Sequence, residues 1–172
     1  MLRIMGAACI MLGSTGIGFW YRQRLYAAIW HLRSMKQILE FFMSEIRYGK
    51  ATLPECCKKV GERMEEPYRG ALLEIYEKTE AYDGSSFSEK WISCMTDALA
   101  DVPITQKEKE IFLGFSSGSR ISDNHMQLQA AAGYRDMIES SIKSREEEVQ
   151  KQGRMAAGLG IMGGLLLTVI LI

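Results

Sequence analysis

Two histidines (His31, His125), four cysteines (Cys9, Cys56, Cys57, Cys94) and one glycine run are the residues of this chain whose types could do chemistry. The glycine run, GLGIMG at residues 158–163, fits the G-x-G-x-x-G pattern that cradles dinucleotide phosphates. That use needs a strand before the glycines, an amphipathic helix after them and an acid about twenty residues further on. Here the charged, helix-like stretch Lys143 to Arg154 precedes the glycines, and the uncharged Leu165 to Ile172 follows them with no acid. The nucleotide reading fails on that context. Adjacent Cys56 and Cys57 lack the second pair or neighbouring histidine that a metal centre needs, so they are expected as small core residues. His31 falls off the apolar stripe of its helix and His125 falls in the first turn of the last helix, both positions for surface or capping-turn residues. There is no H-E-x-x-H, Walker-type loop, C-x-x-C pair or nucleophile elbow. The charge runs Lys58-Lys59, Glu65-Glu66 and Glu146 to Glu148 read as solvated helix faces. The expectation is a protein that is not an enzyme and has no cofactor and no metal.

The elements that would position any site come from the segregation of charge. At 172 residues, with 21 acids balancing 21 bases, the chain has room for one ordinary domain and no net field that would attract nucleic acid. The two ends are apolar and the middle is charged. Residues 155–172 carry no charge, and eighteen residues at about 1.5 Å each nearly match a ~30 Å hydrocarbon core. Ile4 to Tyr21 is also uncharged, with Trp20 and Tyr21 where an aromatic belt sits. Arg22 and Arg24 follow directly, which favours a retained anchor over a cleaved signal peptide. Arg22, Arg24, Arg33 and Lys36 flank the first run, and Lys143, Arg145, Lys151 and Arg154 flank the second. The positive-inside rule then puts the middle in the cytoplasm and both termini outside. Disulfides are not expected in lipid or reducing cytosol.

Between the ends, helical periods dominate. Leu25, Ile29, Leu32, Met35, Leu39, Phe42 and Ile46 form one stripe, and Gly49 can stop that helix. Thr52-Leu53-Pro54-Glu55 is a capping box that opens a second helix, through Cys57, Val60 and Met64. Further faces run through Tyr68, Leu72 and Ile75, and through Phe87, Trp91, Cys94 and Ala98. A second capping box, Thr105 to Glu108, opens a helix through Ile111, Phe112 and Phe115. Gly114 and Gly118 weaken the chain after it, and Ser122 or Asp123 can cap a last helix through Leu128, Ala131, Ile138, Ile142 and Val149. The fold class is all-α: about six helices in a cytoplasmic bundle between two transmembrane helices. The domains are residues 1–21 (first span), 22–154 (bundle) and 155–172 (second span). Within the spans, Ala156, Gly160, Gly164 and Thr168 share one face, as do Gly6, Cys9, Gly13 and Gly16. Such faces let helix backbones approach closely, within one chain or between copies in a homo-oligomer.

The assembled layout resembles the stage III sporulation protein AB family. The resemblance rests on Gly6 and Gly18 in the first span, on EIRYGKATLPE with Glu45, Tyr48, Gly49, Leu53 and Pro54, on Gly114, Gly118, Ser122, Asp123 and Gln127, and on LGIMGGLLLTVILI at the end. Such proteins are similar to the inner-membrane platform protein of type II secretion and type IV pilus machines. The resemblance implies a six-helix cytoplasmic domain, a secretion-type ATPase and channel proteins as partners, and a place in the mother-cell membrane around the forespore. It implies an architectural role in the channel linking the two cells. The other class of function that fits is a membrane-anchored sensor or adaptor whose bundle binds a soluble signalling partner.

Overall fold

The computed structural model describes the backbone of residues 2–49, 52–81, 84–120 and 124–171, and side chains within 22–48, 52–81, 84–117, 125–152 and at 155. The described residues form six α-helices and no strand. They are α1 (Leu2–Ser44), α2 (Leu53–Gly61), α3 (Tyr68–Glu80), α4 (Phe87–Ala98), α5 (Gln106–Gly114) and α6 (Asn124–Leu171). A π-helical turn, Glu45–Gly49, ends α1, and a 3-10 helix, Phe115–Arg120, follows α5. α6 runs through Gly153 without a break. Among the described residues no helix is long and apolar enough to cross a membrane. The spans expected over 4–21 and 155–172 fall, Met155 apart, outside the described side chains.

Charge and aromatic contacts fix how the helices run. Arg33 bonds Glu146 at 2.7 Å, and Lys36 pairs with Glu139 at 3.4 Å. Residue numbers fall on α1 as they rise on α6, so the two long helices are antiparallel. Lys59 pairs with Glu45 at 2.9 Å, Arg63 lies 5.5 Å from the Phe41 ring, and Tyr68 meets His31. α2 therefore descends along α1. Lys58 sits 5.1 Å from the Tyr76 ring, so α3 climbs back beside α2. α4 and α5 complete the bundle and return the chain to α6.

Three of the helices, α2, α4 and α5, start where their own residues supply a capping box. The Thr105 N–H donates to Glu108 at 2.7 Å and the Glu108 N–H returns a bond to the Thr105 hydroxyl at 3.3 Å. At α2 the Thr52 N–H donates to Glu55 at 2.8 Å. A third box, Ser86 with Glu89, opens α4, and S-x-x-E is a readable signature.

The apolar stripes meet as their spacing predicts. Leu32, Met35, Leu39, Phe42, Val60, Tyr68, Leu72, Ile75 and Ile138 are all buried in one core. Trp91 is its centre, with the Phe42, Phe112 and Phe115 rings 5.7, 5.4 and 5.3 Å away. Its indole N–H has no partner, a cost of about 1–3 kcal/mol that the ring's own burial outweighs.

Candidate interaction surface

Several of the polar groups that the bundle buries hold helices together, among them Ser88 with Ser116 and Lys90 with the Lys78 carbonyl. His31 is half-buried, not a surface residue: its Nδ1 lies 3.1 Å from the Tyr68 hydroxyl, which also donates to the His31 carbonyl at 3.3 Å. Both contacts are satisfied when Nδ1 carries the ring proton. Its apolar stripe faces the core, and the larger Tyr68 side chain from α3 fills the flank that the stripe alone does not reveal. Burial holds the His31 pKa below its ordinary 6.5 and pushes Tyr68 up. His125 is exposed in the first turn of α6, as expected.

Cys56, Cys57 and Cys94 are buried core residues. Burial, with Glu45 adding to it, pushes the Cys56 thiol up to about 11, and burial raises Cys57 and Cys94 as well. They are held as neutral thiols, whereas nucleophiles and metal ligands need thiolates. Among the described residues no group of histidine, cysteine and carboxylate side chains is placed to hold a metal ion.

One polar network was not legible in the sequence. Arg145 on α6 reaches Glu108 with two nitrogens, at 3.2 and 3.0 Å, and Glu108 is almost wholly buried. Burial pushes the Glu108 carboxyl up, but Arg145 and the Thr105 N–H and hydroxyl outweigh it, so its pKa falls below the ordinary value. The carboxylate joins α5 to α6 and stays charged. It is a clamp and not an acid–base centre.

What remains is surface, and the motif residues gather on part of it. Glu45 starts the π-helical turn and is held by Lys59. Tyr48 is 78% exposed, with the Arg47 guanidinium 5.9 Å from its ring centre. The turn ends at Gly49. Leu53 and Pro54 are half-buried at the start of α2. The π-helical turn also touches α6, whose first turns bear exposed His125 and Met126 and half-buried Gln127. Two motif segments about eighty positions apart thus reach one end of the bundle. Gly114 lies elsewhere, with a packing role: a Cβ there would stand 2.9 Å from the Tyr134 ring. Gly118 is in the 3-10 helix. Ser122 and Asp123 lie outside the described residues, and the packing residues Gly6, Gly13, Gly16, Ala156, Gly160, Gly164 and Thr168 lie outside the described side chains.

The structure thus defines an all-α bundle in which buried polar pairs clamp helices together and Tyr48 stands exposed at one tip. The chain belongs to the stage III sporulation protein AB family, whose model matches residues 3–172. It is 22% identical over 171 residues to stage III sporulation protein AB of Bacillus subtilis (strain 168), spanning 99% of each chain. A solved structure of a stage III sporulation protein AB superposes with a TM-score of 0.64 at 16% identity, covering 70% of this chain and 94% of that one. At that identity the superposition shows the shared helical fold.

Proposed function

We propose that the chain is a non-enzymatic platform of the sporulation channel-secretion complex that links mother cell and forespore. In this reading residues 4–21 and 155–172 cross the mother-cell membrane around the forespore and meet the channel proteins. Residues 22–154 stand in the cytoplasm and both termini lie outside. The bundle docks a secretion-type ATPase with the tip formed by the π-helical turn and the start of α6.

The observation that supports this most is the antiparallel pairing of α1 and α6. Sequence order then sends both apolar runs away from one end of the bundle. Tyr48, Leu53, Pro54 and Gln127 occupy the opposite end, about 40 Å along α1 from Tyr21 at 1.5 Å per residue. A π-helical turn is a frequent mark of function, and an exposed tyrosine beside an arginine is typical of binding hot spots. An affinity pull-down from sporulating cells tests the reading. The full chain should recover a secretion-type ATPase, and a chain lacking 22–154 should not. Recovery of channel proteins without the ATPase from the full chain would remove the docking role.

A further inference from the structure

The membrane-proximal half of α1 carries a second exposed feature. Arg22, Tyr26, Trp30 and Arg33 follow one another at helical spacing, and all are exposed, Tyr26 by 49% and Trp30 by 42%. Arg22 lies over the Tyr26 ring at 5.6 Å and donates to its hydroxyl at 3.3 Å. The stripe leads into an open groove of about 550 Å³ between α1 and α6. Arg33, Lys36 and Lys143 line it together with Glu40, Glu139 and Glu146. One face therefore presents large aromatics on α1 and, beside them, a groove with equal numbers of cations and carboxylates.

Lipid does not cover Trp30. It stands nine residues beyond Tyr21, about 13 Å along the helix, whereas the headgroup layer beyond the hydrocarbon is only about 5–8 Å deep. A second copy of this chain does fit. Copies anchored in one membrane stand at equal height, so a two-fold axis along the membrane normal brings α1 of each against α6 of the other. Arg33 and Glu146 are level with each other within one copy, so they are level between copies too. Trp30 then reaches the groove end of the other copy near its Glu146. Within one copy Arg33 holds Glu146, and Lys36 and Lys143 hold Glu139. The two-fold sets the same levels of α1 and α6 opposite each other, so these pairs can be shared between copies and the face is complementary to itself in charge.

We propose that the outer α1–α6 face is a pairing surface between two copies of this chain, with Trp30 of each seated beside Glu146 of the other. The equal-height argument rests on the anchoring proposed above; the face and its charge pattern do not depend on ATPase docking. The test places the photo-crosslinker p-benzoylphenylalanine at position 30 of the full chain in its own membrane, with the same probe at exposed Ile92 on α4 as control. The expected result is an adduct of twice the chain mass at position 30 only, mapping to the Glu146 region of the other copy. Trp30→Ala should raise the dimer dissociation constant in detergent by about tenfold or more, as loss of a central tryptophan does. No dimer adduct above the Ile92 control, or adducts with lipid or another protein alone, would overturn the proposal. Fractionation of the same cells reads anchoring separately, so an anchored chain without the adduct overturns the pairing and leaves the anchoring intact.

Discussion

The Glu108 carboxylate receives Arg145 through two bonds, at 3.2 and 3.0 Å, while it also accepts the Thr105 N–H at 2.7 Å. One side chain caps α5 and ties it to α6, the helix that leads towards the C-terminal apolar run. Arg145→Ala should cost on the order of 3 kcal/mol, because it strands a buried charge. Thermal unfolding of the full chain in mild detergent checks it. A loss within about 0.5 kcal/mol, the range of an ordinary surface substitution, would mean that the pair is idle.

The same pair makes an acid-side prediction. Glu108 has a pKa below its ordinary 4.5, so its contribution is fully present above that value and is lost as pH falls through the lowered one. Glu108→Gln should flatten the decline of stability on the acid side of pH 4.5. Parallel declines in the two proteins would contradict the clamp.

His31 acts at higher pH. Its pKa is lowered by burial, so the fold favours the neutral ring. That contribution is complete above 6.5 and disappears as pH falls through the lowered value. His31→Asn should remove the part of the melting-temperature slope that lies just below pH 6.5, and an unchanged slope there would refute the assignment.

Gly114 faces two opposing terms. A methyl there gains up to about 1 kcal/mol in helix propensity. The Tyr134 ring, 2.9 Å from the new Cβ and bonded through its hydroxyl to Ser117 at 3.1 Å, resists with an overpacking cost of about 1–3 kcal/mol. Gly114→Ala should therefore be net destabilising by about 1 kcal/mol. In a Tyr134→Ala background the same substitution should become neutral or stabilising, which a double-mutant cycle measures.

Much of the fold was legible because it rests on local rules. The stripes through Leu32, Leu39 and Phe42, and through Trp91 and Phe112, are periodic, and the caps at Thr52 and Thr105 are spelled out in four residues. The site was legible only in part. EIRYG and Gln127 could be singled out by resemblance, but only the antiparallel α1–α6 pair brings them to one tip. The partners Arg145–Glu108 and His31–Tyr68 are thirty-seven positions apart in each case, and no local pattern announces them. Tyr26 and Trp30 read as helix residues; their exposure depends on which flank of α1 the other helices cover.

The central claim is that the tip around Tyr48 and Met126 docks the ATPase, and one measurement addresses it most directly. The recovery of the secretion-type ATPase from sporulating cells would be compared for the wild-type chain, a Tyr48→Ala, Met126→Ala chain and an Ile92→Ala control. All three sites are exposed, so folding and membrane level should match. The platform reading predicts that recovery falls at least tenfold for the tip variant and not for the control, since a hot-spot truncation is worth that much. Equal recovery of the ATPase by all three chains would contradict docking at the tip, and recovery by none of them would contradict the platform itself.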